Sequence, residues 1–329
     1  MATAQEQDII CCHLCPKRVE HHCNLCHVDL CLTCVPNHMA DTSRDHEIVG
    51  FTFSGKLKMM DDPVVLKTVQ SPYGGNHWLW RIQCVGRDKI LVCGSDSTIK
   101  EIDKDGSILN TIHTNGNVWA LSINFLQEPV FFTVGIHKKD VCIYTKNEVK
   151  VLLSIHDWYC YGLNCTVNGD LLVSMRSTDC TQSRVVRYSG TTEILKIQYD
   201  SQGQPLFSSF EHVLLLTENG NGDICVADRA GHAVVVVDST GGLRFKYKGN
   251  QSKHSMFAQF HPMNIATDVN TQILISEESQ NIIHIIDCDG NFVRYIKHPC
   301  NGGLSVDADH NLVSGDIYTG EMKIIRYLE

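Results

Sequence analysis

The apolar residues of this chain recur in blocks from about Trp78 to the C-terminus. Each block contains an apolar anchor, a strongly apolar strand, a second strand, a turn and a further strand. The anchors are spaced by 39, 42, 50, 52 and 39 residues, and repeats of this size are typical of propellers and solenoids. The six anchors are Ile82, Leu121, Leu163, Val213, Ile265 and Leu304.

Within each block, short apolar stretches alternate with turns, and there is no sustained helical periodicity. Turns such as 103–106 and 287–290 contain Asp and Gly, which suit hairpins because glycine readily adopts positive φ. The pattern therefore predicts an all-β fold. The most apolar strands are predicted at 90–94, 130–134, 171–175, 224–228, 273–277 and 311–315. The strands that follow them are predicted at 98–103, 141–145, 185–189, 233–238, 282–287 and 322–327.

The sixth block ends after its third strand at Glu329, whereas the other blocks have a fourth. A β-prone stretch at 63–70 precedes the first block and can supply the missing outer strand. Ring closure of this kind protects sheet edges that would otherwise invite aggregation. Residues 62–329 are therefore predicted to form a six-bladed β-propeller.

Cysteine and histidine pairs dominate the N-terminal segment, predicted as a separate zinc-binding domain at 8–49, followed by a linker at 50–61. Such a short segment cannot bury a useful apolar core, so bound metal would supply its folding energy. Zinc takes four ligands, and the four pairs could bind two ions either sequentially or crossed. A disulfide knot or redox cluster is the alternative, although it gives the histidines no role. The eight predicted ligands are Cys12, Cys15, Cys23, Cys26, Cys31, Cys34, His38 and His46.

Composition narrows the possible location and partners. Apolar residues make up 43% of the chain, no run is long enough for a membrane span, and the N-terminus does not look like a secretory signal. We therefore expect a cytoplasmic protein with reduced thiols. The formal net charge is −9, of which the first fifty residues contribute −4. This balance argues against strong nonspecific nucleic-acid binding.

Large side chains cluster just before the apolar anchors, in segments predicted to be loops at one end of the propeller channel. Trp, Tyr and Arg are the residues that dominate the binding energy of protein interfaces, so a protein partner is expected there. The alternative is that these large side chains pack between blades as ordinary core residues. The predicted binding residues are Trp78, Trp80, Arg81, Asn117, Trp119, Trp158, Tyr161 and His261.

The cysteine and histidine pattern at about 11–48 resembles the B-box zinc finger of the tripartite-motif (TRIM) family. That resemblance implies alternating ligand pairs, with one Zn²⁺ on Cys12, Cys15, Cys31 and Cys34. The other Zn²⁺ would then be held by Cys23, Cys26, His38 and His46. The blocks from 62 onward resemble NHL repeats, most clearly at Gly222–Asp228 and Gly231–Asp238.

Only ten residues precede Cys11, so no RING finger fits there, and the family's coiled coil is also missing. We therefore expect neither autonomous ubiquitin-ligase activity nor coiled-coil dimerisation. The resemblance implies a non-catalytic adaptor that recognises a protein and serves a ubiquitin pathway.

Two other functions stay open at this stage. The first is RNA binding, to which Arg81, Lys138, Lys139, Arg176 and Arg184 could contribute. The second is a hydrolase or lyase with a metal in the propeller channel, for which Asn117, Asn164 and Asn264 are candidate ligands. No pair of acid and base residues at a fixed spacing supports the enzyme hypothesis.

Overall fold

The computed structural model describes residues 21–23, 28–30, 34–40, 48–50, 57–134, 140–209, 214–250, 259–298 and 300–329. From residue 57 onward, the described chain forms six four-stranded antiparallel sheets. The innermost strand of each sheet contacts those of its two neighbours, and the last contacts the first. The fold is thus an all-β six-bladed propeller, as predicted.

The described N-terminal residues form a three-stranded antiparallel sheet and one short helix. Strand β1 (His21–Cys23) lies between β2 (Val28–Leu30) and β3 (Ile48–Gly50), and the helix is α1 (Val35–Met39). Leu30 and Val35 are fully buried. In the described part of the chain, no helix has both the length and the apolar character needed to cross a membrane.

In blades one to five, consecutive strands pass from the channel outward. Blade one contains β5 (Leu79–Val85), β6 (Lys89–Gly94), β7 (Thr98–Asp103) and β8 (Ile108–His113). Blade two contains β9 (Asn117–Ile123), β10 (Pro129–Val134), β11 (Asp140–Thr145) and β12 (Glu148–Ser154). Blade three contains β13 (Trp158–Cys165), β14 (Leu171–Ser177), β15 (Ser183–Ser189) and β16 (Thr192–Ile197).

The second half of the ring repeats this order. Blade four contains β17 (Leu214–Glu218), β18 (Ile224–Asp228), β19 (Ala233–Val237) and β20 (Leu243–Tyr247). Blade five contains β21 (Pro262–Thr267), β22 (Ile273–Glu277), β23 (Ile282–Ile286) and β24 (Phe292–Ile296). Blade six contains β25 (Leu304–Val306), β26 (Leu312–Gly315), β27 (Glu321–Leu328) and β4 (Met59–Gln70).

The ring closes as the sequence predicts, because β4 pairs antiparallel with β27 as the outer strand of blade six. This strand begins at Met59, so its first residues lie within the segment predicted as a linker at 50–61. The reason is that the backbones of Lys58 and Glu329 exchange two hydrogen bonds of 2.7 Å, which extends the pairing beyond the apolar stretch.

Burial explains why the apolar blocks become the middle strands of each blade. Every residue of β18, β19 and β22 is buried, whereas the outer strand β20 is largely exposed. The cores lie between neighbouring blades: Leu172 and Val185 of blade three pack with Leu216 and Val226 of blade four. Burying apolar area contributes roughly 25 cal/mol per Å², so contacts between blades stabilise the whole ring.

Candidate functional site

The inner strands of blades one, two and three each contain a β-bulge near the end where the strand begins. In β5, β9 and β13, the pairing with the second strand passes over one residue. Those residues are Trp80, Trp119 and Tyr161, respectively. A bulge changes the direction of the extra side chain. The three rings therefore need not follow the regular alternation of side chains between the two faces of the sheet.

The three bulge residues contact one another across the blades. The ring centroids of Trp80 and Trp119 are 6.2 Å apart, and those of Trp119 and Tyr161 are 6.3 Å apart, both edge to face. Such pairs contribute about 0.5–1.5 kcal/mol each beyond their buried area. Trp80, Trp119 and Tyr161 are all partly exposed, and we call them the aromatic arc. Arg176 of β14 extends it, with its guanidinium carbon 5.5 Å from the Tyr161 ring centroid.

The other two tryptophans make contacts apart from the aromatic arc. Trp78 is 47% exposed and meets the ring of Tyr318 edge to face at 6.2 Å. Trp158 lies beneath Arg184, whose guanidinium carbon is 3.9 Å from the ring centroid. These two pairs add aromatic surface at the same end of the ring, because both tryptophans lie at the beginning of an inner strand.

His261 and Asn117 complete the predicted set. The ring of His261 meets that of His232 at 4.8 Å, and the side-chain oxygen of Asn117 accepts a hydrogen bond from Ser97 at 3.3 Å. The prediction that the eight residues lie in loops is wrong for six of them, which belong to β5, β9 or β13. Trp78 and His261 alone precede their strands. The bulges are the reason, because they allow large side chains within a paired inner strand.

A cavity of about 180 Å³ occupies the channel, and all six inner strands contribute to its wall. The wall combines apolar side chains with amide and hydroxyl groups. Among the described residues around it, Arg81 is the one ionisable group. The lining residues are Arg81, Ile82, Gln83, Ala120, Leu121, Leu163, Asn164, Leu215, Leu216, Thr217, Asn264, Ile265, Ala266, Thr267, Gly303, Leu304, Ser305 and Val306.

Arg81 follows Trp80 directly and makes little use of its hydrogen-bonding capacity. Its Nη1 donates to the carbonyl oxygen of Trp80 at 2.8 Å. Its Nε is buried and has no hydrogen-bond partner within the described residues. Burial lowers the pKa of the Arg81 guanidinium, because removal from water disfavours the charged form. The channel therefore contains a cation without a compensating carboxylate on its wall.

The asparagines considered as channel-metal ligands hold neighbouring blades together. The side-chain oxygen of Asn164 accepts from the backbone N–H of Glu218 at 3.1 Å, and the side-chain amide of Asn264 donates to the carbonyl of Gly302. Asn117 does not line the cavity. No group of three or more His, Cys, Asp or Glu residues that could hold a metal occurs in the described part of the chain.

The predicted zinc ligands fall largely outside the described residues. Those outside are Cys12, Cys15, Cys26, Cys31 and His46. Of the others, Cys23 ends β1, while Cys34 and His38 lie one helical turn apart at α1, where the backbone N–H of His38 donates to the carbonyl of Cys34. The predicted family pairing assigns Cys34 and His38 to different ions. These three positions do not test the two zinc sites.

The cysteines of the propeller are mostly core residues, as expected from their positions in apolar strands. Burial raises the pKa of the Cys84, Cys93 and Cys165 thiols to about 12. A reactive cysteine needs a lowered pKa, because the thiolate is the nucleophile. These three thiols therefore lack the environment of a catalytic nucleophile. Cys180 differs, since it is exposed.

Of the basic residues considered for RNA binding, those that the structure describes do not form one exposed patch. Lys138 and Lys139 lie outside the described residues. Arg176 is only 5% exposed and packs over Tyr161, and Arg184 packs over Trp158. The guanidinium groups of Arg176 and Arg184 are thus engaged with aromatic rings, and Arg81 lines the channel.

Sequence reasoning missed Tyr318 and most of the polar channel wall. Tyr318 lies in the turn after β26, and its proximity to Trp78 comes from ring closure, which no local signal reveals. The sequence analysis also treated Arg176 only as a possible RNA contact. For the aromatic arc itself, the sequence does contain a signal: an aromatic residue recurs two positions before the anchors Ile82, Leu121 and Leu163.

No protein-family model and no curated protein matches the sequence. Among solved structures, a structural genomics protein of unknown function from Bacteroides thetaiotaomicron is 11% identical, with a TM-score of 0.61. The match covers 86% of this chain and 80% of that one.

Two proteins whose names state an activity or a ligand also match. Virginiamycin B lyase from Staphylococcus aureus is 15% identical, with a TM-score of 0.54, and the match covers 77% of this chain and 82% of that one. The calcium-binding protein regucalcin from Agrobacterium tumefaciens is 10% identical, with a TM-score of 0.55, covering 80% of this chain and 96% of that one. At these identities, the similarity shows the propeller fold alone.

Proposed function

We propose that this chain is a non-catalytic adaptor whose propeller binds an extended segment of a partner protein across the channel mouth. The aromatic arc carries this proposal. Three successive blades place an aromatic ring at an inner-strand bulge, and the rings continue from blade to blade while staying partly exposed.

The arrangement suits protein recognition on energetic grounds. Tryptophan, tyrosine and arginine dominate the binding energy of protein interfaces, and they do so in partly desolvated clusters. The rings of the aromatic arc support one another, so little side-chain entropy remains to be lost on binding. Arg176 is held over Tyr161 at the edge of this cluster. A partner segment would therefore meet a preorganised surface.

The same geometry favours a protein over RNA and over a reaction centre. Arg176 and Arg184 already pack on aromatic rings, and the chain carries a formal net charge of −9, which opposes a polyanion. The channel asparagines are engaged in hydrogen bonds between blades. These contacts support a binding surface more than a metal-dependent hydrolase.

The N-terminal segment extends the proposal. The eight cysteines and histidines at B-box spacing support two Zn²⁺ ions and a second, smaller contact surface, as in tripartite-motif proteins. On this basis we place the adaptor in the cytoplasm and in a ubiquitin pathway. Metal analysis of the purified full chain tests the zinc part, with two zinc ions per chain as the expected result.

Peptide display on the immobilised full chain tests the binding surface. We expect selected peptides to bind the wild type and to lose at least about tenfold in affinity with Trp119→Ala, because removing an interface hot spot costs more than 1.4 kcal/mol. Tyr199→Ala is the matched control. Tyr199 is also an exposed aromatic residue, 48% exposed, but it lies after the outer strand of blade three.

Circular dichroism and thermal melts of each variant separate binding from folding. If no peptide is selected, or if Trp119→Ala and Tyr199→Ala bind alike, the aromatic arc is not the recognition surface. A parallel selection with random single-stranded RNA covers the competing function. RNA binding that weakens steeply with salt and requires Trp119 would replace the protein partner by RNA.

A further inference from the structure

We infer that the channel beneath the aromatic arc contains an anion subsite, built on Arg81, for an acidic side chain of the bound segment. The inference rests on the proposed function, because the subsite specifies the chemistry of the segment that the propeller is proposed to bind. The partner would present an Asp or Glu side chain to the channel while its neighbouring residues lie across the rings.

The first argument is the charge of the cavity. Arg81 is the one ionisable residue among the described residues that line it, and the remaining polar lining consists of amides and hydroxyls. Nearby carboxylates have their own cations: Glu218 pairs with Arg187 at 2.5 Å, and Asp307 pairs with Lys104 at 3.1 Å. A negatively charged ligand group would therefore meet an attractive site without a competing carboxylate on the wall.

The second argument is the state of the Arg81 side chain. A guanidinium has five N–H donors in a fork that matches a carboxylate, and here one hydrogen bond to the Trp80 carbonyl occurs among the described residues. The Nε is shielded from solvent and unsatisfied there. Burial of a charge without a partner is unfavourable, so a counter-ion supplied by a ligand gains more here than at an exposed arginine.

The third argument is position and room. Arg81 follows the bulge at Trp80, and its Nη1 donates to the Trp80 carbonyl, so an aromatic residue and a guanidinium adjoin near the beginning of β5. The cavity of about 180 Å³ compares with roughly 30 Å³ for a water molecule. It therefore accommodates a carboxylate and its short aliphatic stem. A single carboxylate also avoids the general repulsion that a polyanion meets from an acidic chain.

The test uses the full chain and simple probes at constant ionic strength. N-acetylglutamate α-amide carries one side-chain carboxylate, and N-acetylglutamine α-amide is its neutral counterpart. Inorganic phosphate represents the phosphate groups of a nucleic acid. By calorimetry we expect millimolar binding of the glutamate probe and at least about tenfold weaker binding of the other two.

Arg81→Met should remove glutamate binding, by at least about tenfold, without lowering the melting temperature, because it deletes a buried charge that lacks a counter-ion. Arg87→Met is the matched control, since Arg87 is an exposed arginine with a weak 3.7 Å contact to Asp309. A purely structural role for Arg81 predicts a different result. Arg81→Met would then lower the melting temperature, and the glutamate probe would bind Arg87→Met and Arg81→Lys equally well.

A bromide-soaked crystal of the wild type gives a readout that does not depend on any variant. The anomalous signal should lie beside the Arg81 guanidinium. Bromide found only elsewhere, no glutamate binding up to about 100 mM, or equal binding by Arg81→Met would overturn the subsite. Preference for phosphate over the glutamate probe would overturn its assignment to an acidic peptide.

The two proposals fail separately. If selected peptides bind through the aromatic arc but the glutamate probe and bromide avoid Arg81, the adaptor function stands and the subsite does not. If the probe binds at Arg81 but peptide display selects nothing, the subsite stands and the proposed protein recognition does not.

Discussion

Blades one to three and blades four to six use the beginning of the inner strand in different ways. In the first half, each bulge holds an aromatic ring, and the rings meet at the channel mouth. In blade six, Gly303 comes just before β25, and a Cβ added there would lie 2.3 Å from the backbone nitrogen of Ile82 in blade one. In blade five, the Asn264 amide donates to the carbonyl of Gly302.

The difference shows that one repeated position can either present a partly exposed aromatic ring or permit a close approach of two backbones. Large side chains in the first half leave a partly exposed surface. In the second half, a missing side chain lets backbones approach closely, and polar groups link neighbouring blades: Tyr327 donates to Asp268 at 3.0 Å, and the Asn270 amide donates to the Leu57 carbonyl at 2.9 Å. We therefore expect substitutions in the second half to affect stability and those in the arc to affect binding.

The largest effect should come from removing the closing strand. Deletion of residues 1–70 removes β4 and exposes the edge of β27, whereas deletion of 1–56 leaves that pairing intact. We expect the shorter deletion to retain one cooperative urea transition of the propeller and the longer one to lose it, because an open ring leaves both a sheet edge and its apolar face exposed. Similar unfolding midpoints for the two proteins would mean that closure contributes little.

The junction between the halves depends on a buried ion pair. Arg187 of blade three contacts Asp170 at 3.0 Å and Glu218 of blade four at 2.5 Å, and the side chains of Arg187 and Glu218 are 11% and 9% exposed. Arg187→Ala should lower the free energy of unfolding by about 3–5 kcal/mol, since it leaves buried carboxylates unpaired.

The double variant Arg187→Met, Glu218→Gln is the control for this junction. It removes both charges, so urea titration should recover a large part of the lost stability. Burial raises the pKa of Glu218 although Arg187 opposes that shift, which is consistent with a costly carboxylate once its partner is removed. No recovery in the double variant would indicate that packing of the arginine stem, rather than charge, stabilises the junction.

Closure by glycine can be tested in blade six. Gly303→Ala should lower the free energy of unfolding by about 3 kcal/mol or more, because its Cβ would overlap backbone atoms of Arg81 and Ile82 that cannot simply rotate away. Gly220→Ala is the matched control, since the nearest atom to its Cβ is a Thr271 methyl at 3.4 Å, an ordinary contact. Equal melting temperatures of the two variants would contradict the close approach of blades six and one.

The Asp268–Tyr327 contact makes closure sensitive to pH. Burial raises the pKa of Asp268 from its ordinary value of 3.8 to about 6 in the folded protein. The folded state thus favours the protonated acid. The stabilisation is complete below about pH 4 and is lost as the pH rises through 6, by up to about 3 kcal/mol.

Asp268→Asn should remove this dependence. We expect the difference in urea midpoint between the wild type and Asp268→Asn to change between pH 4 and 7, with the wild type losing stability relative to the variant as the pH rises. Comparing the two proteins cancels the opposite contribution of carboxylates such as Asp96 and Asp238, whose pKa is lowered by hydrogen bonds. A constant difference across this range would contradict the assignment.

The smallest effect on stability should come from an exposed aromatic residue of the first half. Trp78→Ala should change the free energy of unfolding by less than about 1 kcal/mol, because Trp78 is 47% exposed. Its neighbour Leu79 is fully buried, so Leu79→Ala should cost about 2–5 kcal/mol in the same thermal melts. A large loss of stability in Trp78→Ala would remove the distinction between the two halves.

Local sequence determined most of the propeller. The strands predicted at 224–228 and 273–277 match the structure residue for residue, because burial on both faces demands continuous apolar runs and the turns between them require Asp or Gly. The strand predicted at 98–103 also matches, although it is only partly buried. The stretch at 63–70 also pairs with β27, as the incomplete sixth block implied. The zinc ligands, by contrast, are predicted from spacing alone.

Only the tertiary structure decided what the aromatic and charged residues do. The bulges at Trp80, Trp119 and Tyr161 are properties of the register between two strands. Because of these bulges, residues that the spacing had assigned to loops lie within strands. The surroundings of Arg81 depend on six strands that meet around one channel, far apart in sequence. Periodicity reports whether a side chain is buried, whereas ring closure determines which distant groups share that buried space.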